Sequence, residues 1–195
     1  MLSTKSFKII GLLLGIFLLF GACVSRPGLL PKSSTVPVDV DLSGLWQLRM
    51  EPGAKAIPRT GDDGRIRIPP LNSPRQAAKR PSRRSSGSAV GVFLETGELL
   101  KISQTADGLF ISFDRAIVEE YSFGENRTVS VGPIEAQRVS GWQDQAFVVE
   151  TLDKEGGLLT ESWHINAADG VLVRDIAIFR GDKQQFSTRQ RFDRS

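Results

Sequence analysis

From Leu99 to Phe192 the chain is cut at short, regular intervals by turn residues, and this rhythm limits its fold more than any other feature. Ala106-Asp107-Gly108, Gly124-Glu125-Asn126, Gln143-Asp144-Gln145, Glu155-Gly156-Gly157, Ala168-Asp169-Gly170 and Gly181-Asp182 separate runs in which apolar and polar residues alternate. Glycine accepts the positive φ of tight hairpin turns, so these positions read as reversals. Strands every ~8–12 residues point to a sandwich or barrel rather than βαβ units. No interval holds a crossover helix, so neighbouring strands are expected to be antiparallel. The spacing predicts strands over 99–104, 109–114, 117–123, 128–131, 135–142, 146–152, 158–165, 171–179 and 185–192. A meander of that length tends to curl and close, because closure removes exposed edges. The expected class is all-β, an antiparallel up-and-down meander of about nine strands. Leu109-Phe110-Ile111 and Val171-Leu172-Val173 are apolar on both faces and leave barrel against sandwich open.

Ahead of the meander, Trp46, Leu48 and Met50 alternate with Leu45, Gln47 and Arg49, again at strand period. Residues 51–88 then carry nine Lys/Arg against three Asp/Glu, a net +6, with six prolines. Residues 89–195 carry eleven against seventeen, a net −6. The basic stretch has the composition of disorder. It reads either as an insertion after the first strand or as the approach to a domain starting near Ala89. A short helix is expected at 90–96. Residues 24–40, with Pro27, Pro31 and Pro37, read as an extended linker that packs no core.

The N-terminus is a leader. Lys5 and Lys8 precede twelve residues, Ile9 to Phe20, that are apolar or glycine. A basic start, a short apolar run and small residues behind it describe a secretory signal. The run is shorter than the ~20 residues of a membrane-spanning helix. Cys23 follows and is the only cysteine of the chain, so no internal disulfide forms. Leu19 or Phe20, then Gly21, Ala22 and Cys23, resemble the lipobox of bacterial lipoproteins. The resemblance implies cleavage before Cys23 and lipidation of its thiol and new amino terminus. The leader is then a signal helix over 1–22, with the lipidated cysteine and a Pro-rich linker over 23–40. The domain occupies 41–195 with its basic insertion at 51–88. Val24, in place of aspartate after the cysteine, implies outer-membrane delivery, facing the periplasm. Two or more acyl chains hold a protein stably where one does not.

Gly44-Leu45-Trp46 is similar to the first-strand motif of the lipocalin and calycin superfamily. In that family the tryptophan plugs one barrel end and a basic residue of the last strand stacks on it. Arg189, Arg191 and Arg194 are the candidates. The resemblance implies a lipocalin-like barrel. Residues 97–195 also resemble the β-meander domains of uncharacterised bacterial envelope proteins. That similarity rests on Trp142, Asp144, Val148-Val149-Glu150, Thr160, Glu161, Trp163 and the 168–170 turn, and it implies a fold without an activity.

Little in the sequence points to chemistry. His164 is the only histidine and has no partner at metal-ligand spacing. No Gly-x-Ser-x-Gly elbow and no phosphate-binding glycine loop is present. Glu119 and Glu120 are adjacent, so a strand sends them to opposite faces. Glu150 and Glu161 lie on neighbouring strands, in reach of one another if their register allows. The expectation is a non-enzyme without cofactor or metal: a tethered structural or interaction module for envelope proteins or cell-wall polymer. Its basic segment is suited to anionic lipid or lipopolysaccharide, and nucleic acid is not an expected partner. The alternative is a small-molecule or lipid binder. Its ligand would be lined by Trp46, Leu48, Ile102, Ile111, Phe113, Phe147, Val149, Trp163 and Val173.

Overall fold

The alternation that begins at Trp46 is carried through ten strands. The computed structural model describes residues 28–50 and 89–195; the leader, Cys23 and the basic segment 51–88 lie outside the described residues. The strands are β1 (Gly44–Leu48), β2 (Leu99–Gln104), β3 (Gly108–Phe113), β4 (Ile117–Ser122) and β5 (Glu125–Val131). They continue as β6 (Ile134–Gln143), β7 (Ala146–Asp153), β8 (Gly157–Ile165), β9 (Leu172–Arg180) and β10 (Lys183–Arg194). A single 3-10 turn, Ala89–Phe93, stands where a short helix was expected. The sheet order is β4-β3-β2-β1-β10-β9-β8-β7-β6-β5, and the sheet curls into a nearly closed barrel. The expected antiparallel meander is therefore present, with ten strands in place of about nine.

Closure comes from the two ends of the sequence. β1 lies between β2 and β10, and Trp46 is in register with Arg194. The remaining seam is between β4 and β5, which are consecutive in the chain yet share no ladder. Side chains stitch it instead. Arg127 donates to the Glu120 carbonyl at 3.2 Å, and the Ser140 hydroxyl to the Ser122 carbonyl at 2.8 Å. Arg138 also reaches across to Glu119 at 3.1 Å.

Residues 32–43 cross the barrel end formed by the β2–β3, β4–β5 and β6–β7 turns, as a strap. Ser33 exchanges both backbone hydrogen bonds with Trp142, at 3.1 and 2.8 Å. Lys32 pairs with Glu150 at 3.1 Å. The Gln104 side chain accepts from the Leu42 amide and donates to the Val40 carbonyl, each at 3.0 Å. Gly141 admits the strap, since a Cβ there would stand 2.5 Å from the Ser33 carbonyl oxygen. Composition had suggested a linker with no core. Val36 and Val40 of that stretch nevertheless pack on the cluster that holds the fully buried Leu42 of the domain. These two aliphatic side chains, with the Ser33 and Gln104 hydrogen bonds, hold the segment down.

The interior has two apolar layers. The strap-end layer holds Leu42, Trp46, Ile102, Ile111, Phe123, Trp142, Phe147 and Phe192, among others. The far-end layer gathers Val90 and Phe93 of the 3-10 turn with Ala136, Leu159 and Ile176. Charged residues lie between the two, and they are the unexpected part of the fold.

Candidate functional site

Eight of the nine candidate lining residues converge. Trp46, Leu48, Ile102, Ile111, Phe113, Phe147, Val149 and Trp163 belong to one interior cluster. Val173 does not. It is in register with His164, on the face of the sheet opposite Trp163 and Arg174. The run Val171-Leu172-Val173 hid the phase of β9, and the structure corrects it.

These side chains fill the barrel. Tyr121, Phe123, Trp142 and Phe147 meet edge-on with ring centroids 5.4–5.8 Å apart, and Phe113 tilts against Trp163 at 6.4 Å. Such contacts contribute ~0.5–1.5 kcal/mol each beyond burial. At the strap end, Trp46 donates its indole N–H to the Leu42 carbonyl at 3.0 Å. The Arg194 guanidinium carbon lies 4.4 Å from the centre of the Trp46 ring. Of the three last-strand arginines, Arg194 therefore makes the stack that the Gly-x-Trp resemblance implied. Gly44 makes room for it, because a Cβ there would meet the indole at 3.1 Å and the guanidinium at 3.2 Å. Arg189 turns outward to Asp175.

Between the two layers sits a buried ionic network. On β9, Arg174 is 1% exposed and pairs with Glu161 of β8, which is 2% exposed. Its Nε donates to Glu161 at 3.1 Å, Nη1 to the Gln190 side chain at 3.3 Å and Nη2 to the Glu95 carbonyl at 2.9 Å. The same guanidinium lies 4.4 Å over Trp163 and 5.3 Å from Phe113. On β6, Arg138 donates to Thr151 at 3.2 Å and to Glu119 at 3.1 Å, flanked by the Phe93 and Tyr121 rings. Burial, followed by repulsion from Glu119 and Glu161, raises the pKa of the Glu95 carboxyl against the opposing pull of Arg174 and Arg138. Burial likewise raises the Tyr121 phenol, so it stays protonated and neutral. A charge in this setting requires its partner, because an unpaired buried ion is strongly penalised. The indole N–H groups of Trp142 and Trp163 are buried and find no acceptor among the described residues.

The sequence singled out two carboxylate pairs. Glu119 and Glu120 do point to opposite faces, Glu119 to Arg138 and Glu120 to solvent. Glu150 and Glu161 do not meet. Glu150 is in register with Thr160, and Glu161 with Val149, so one faces Lys32 outside and the other Arg174 inside. The buried arginines were not among the sequence candidates. One signal was available: Glu161 falls between Leu159 and Trp163 at period two, which puts a carboxylate on the apolar face and asks for a cation.

Outside, the saddle of β7 to β10 forms two adjoining grooves that share Thr160 and Ser162. One, of about 500 Å³, is lined by Gln143, Asp144, Glu150 and His164 among others. The second, of about 460 Å³, includes Asp175, Ser187 and Arg189. Among the described residues, no cluster of three His, Cys, Asp or Glu side chains is placed to hold a metal ion. No protein-family model and no curated protein matches this chain.

Proposed function

We propose that this chain is an envelope lipoprotein whose barrel serves as a structural or interaction module and performs no catalysis. Its leader exports it, Cys23 carries the acyl chains, and the outer membrane holds it facing the periplasm. The observation that supports a module over a carrier is the filled interior. Eight residues that could have lined a ligand chamber pack on one another, and the ionic network occupies the level above them. Small barrels either fill with side chains or hold one guest, and this one fills. Recognition then falls to the outer surface and its β7–β10 grooves, with the basic segment 51–88 suited by its charge to envelope proteins, wall polymer or anionic lipid.

A second reading keeps a small-molecule or lipid guest inside the barrel. It draws on the unpartnered indole N–H groups of Trp142 and Trp163, which a polar guest atom could accept. Native mass spectrometry of the full exported protein, released gently from membranes, separates the two. A bare acylated mass supports the module, and a stoichiometric adduct supports the guest. Cys23→Ala is expected to abolish incorporation of radiolabelled fatty acid. Labelling that persists in that variant refutes the lipoprotein reading.

A further inference from the structure

The strap changes the geometry of the tether. Read as a linker, residues 24–40 would lift the domain away from the lipid. Instead the chain is fastened to the barrel from Lys32 onward by the Ser33–Trp142 pair and the Lys32–Glu150 ion pair. The strap also exposes apolar side chains that the barrel does not cover. Leu30 is 75% and Val38 83% exposed; Met50, Ile117, Val118 and Val131 are exposed at the opposite end, so exposure alone does not choose between the ends.

Reach decides the orientation. Seven residues separate Cys23 from Leu30 and span at most ~25 Å when fully extended. The ten residues of β6 run ~33 Å along the strand, or ~25 Å of barrel height at the usual tilt. With the far end against the membrane, the tether would be drawn to its limit and lose its conformational entropy. With the strap end down it keeps slack, and Leu30 and Val38 meet the surface.

From this we infer that the strap end of the barrel is a lipid-contact face, seated on the head-group layer through Leu30 and Val38. The inference rests on the lipid anchor at Cys23. Asp39 and Asp41 follow Val38 on the strap, so the face suits a zwitterionic head-group layer and is repelled by an anionic one. Met50 and Ala89, where the basic segment leaves and rejoins the barrel, lie at the opposite end.

The test uses the full acylated protein in phosphatidylcholine vesicles that carry a nitroxide-quencher lipid. Acylation consumes the only native thiol, so Leu30→Cys, Val38→Cys and Val131→Cys each offer a single site for an environment-sensitive dye. Val131 is 46% exposed and belongs to the far end. The expected result is at least threefold stronger quenching at positions 30 and 38 than at 131, weakening as phosphatidylglycerol replaces phosphatidylcholine. Equal quenching at the three sites, or stronger quenching at 131, overturns the inference while leaving the anchor intact. Protein that incorporates no fatty acid and fails to float with vesicles overturns the anchor itself, and the inference with it.

Discussion

The two faces of the β8–β10 sheet hold the same kind of ion pair under opposite conditions. Inside, Arg174 and Glu161 are almost sealed from water; outside, Arg189 and Asp175 keep 58% and 35% of their side-chain surface exposed. Each guanidinium uses its Nε and one terminal nitrogen on a carboxylate. The outer pair, whose hydrogen bond and charge raise the pKa of Arg189, competes with solvent and salt. The inner pair has given up hydration, so its members depend on one another, on Gln190, on the Glu95 carbonyl and on two aromatic faces. Burial makes the inner partnership hard to break without making it a large net source of stability.

Four predictions test that contrast, in descending order of effect. Glu161→Gln leaves Arg174 buried without its counter-charge and should cost ~3–5 kcal/mol in urea denaturation. Replacing both partners, Arg174→Met with Glu161→Leu, should recover most of that loss. A double variant as unstable as the single one would mean that the pair supplies net stability itself. Next, Arg194→Gln removes the cation over Trp46 and should cost ~0.5–2 kcal/mol, seen as a lower midpoint with an unchanged denaturant slope. Asp175→Asn, the outer counterpart of the first change, should cost ~0–1 kcal/mol, and 1 M salt should erase the difference from wild type. A loss comparable to that of Glu161→Gln would end the contrast between the faces.

The smallest effect concerns Glu95. Its carboxyl titrates above the ordinary glutamate value in the folded state, so the folded protein holds its proton more tightly than the unfolded chain does. That contribution to stability is complete below the unfolded pKa and is lost as pH rises through the folded one. Glu95→Gln should therefore flatten stability against pH just above the unfolded glutamate range and raise it at neutral pH. Thermal melts of both proteins across pH 4–7 check this, and parallel curves would contradict it.

Strand order was legible because turn glycines and alternation at period two are local signals. Boundaries slipped where a turn was read a residue late. Glu125 and Asn126 looked like turn residues, yet the reversal sits at Phe123–Gly124 and both already pair with Ser140 and Val139. The buried arginines were hidden for a different reason. A charged residue in a strand defaults to the solvent face, and only the register between β8 and β9 shows that Arg174 lies beside Trp163. Register depends on contacts between strands, and no single strand encodes it. The strap escaped because proline content argues against a core, whereas Val36 and Val40 pack on the interior cluster and Ser33 pairs with Trp142. The leader was read from its basic start and apolar run and the role of Cys23 from a resemblance, and both lie outside the described residues.

The position of β1 sets the order of assembly. Its neighbours are β2, across the whole 51–88 segment, and β10, whose partner residue to Trp46 is Arg194. A ladder joining positions 46 and 194 has high contact order and closes late. A chain still emerging can form the hairpins from β2 to β9, but the strand that carries Trp46 keeps one bare edge until β10 is complete. The β2–β9 intermediate therefore presents its open edges to other chains for as long as the last strand is not in place. Shielding of those edges during that interval, as well as fast local folding, favours a good yield of closed barrel.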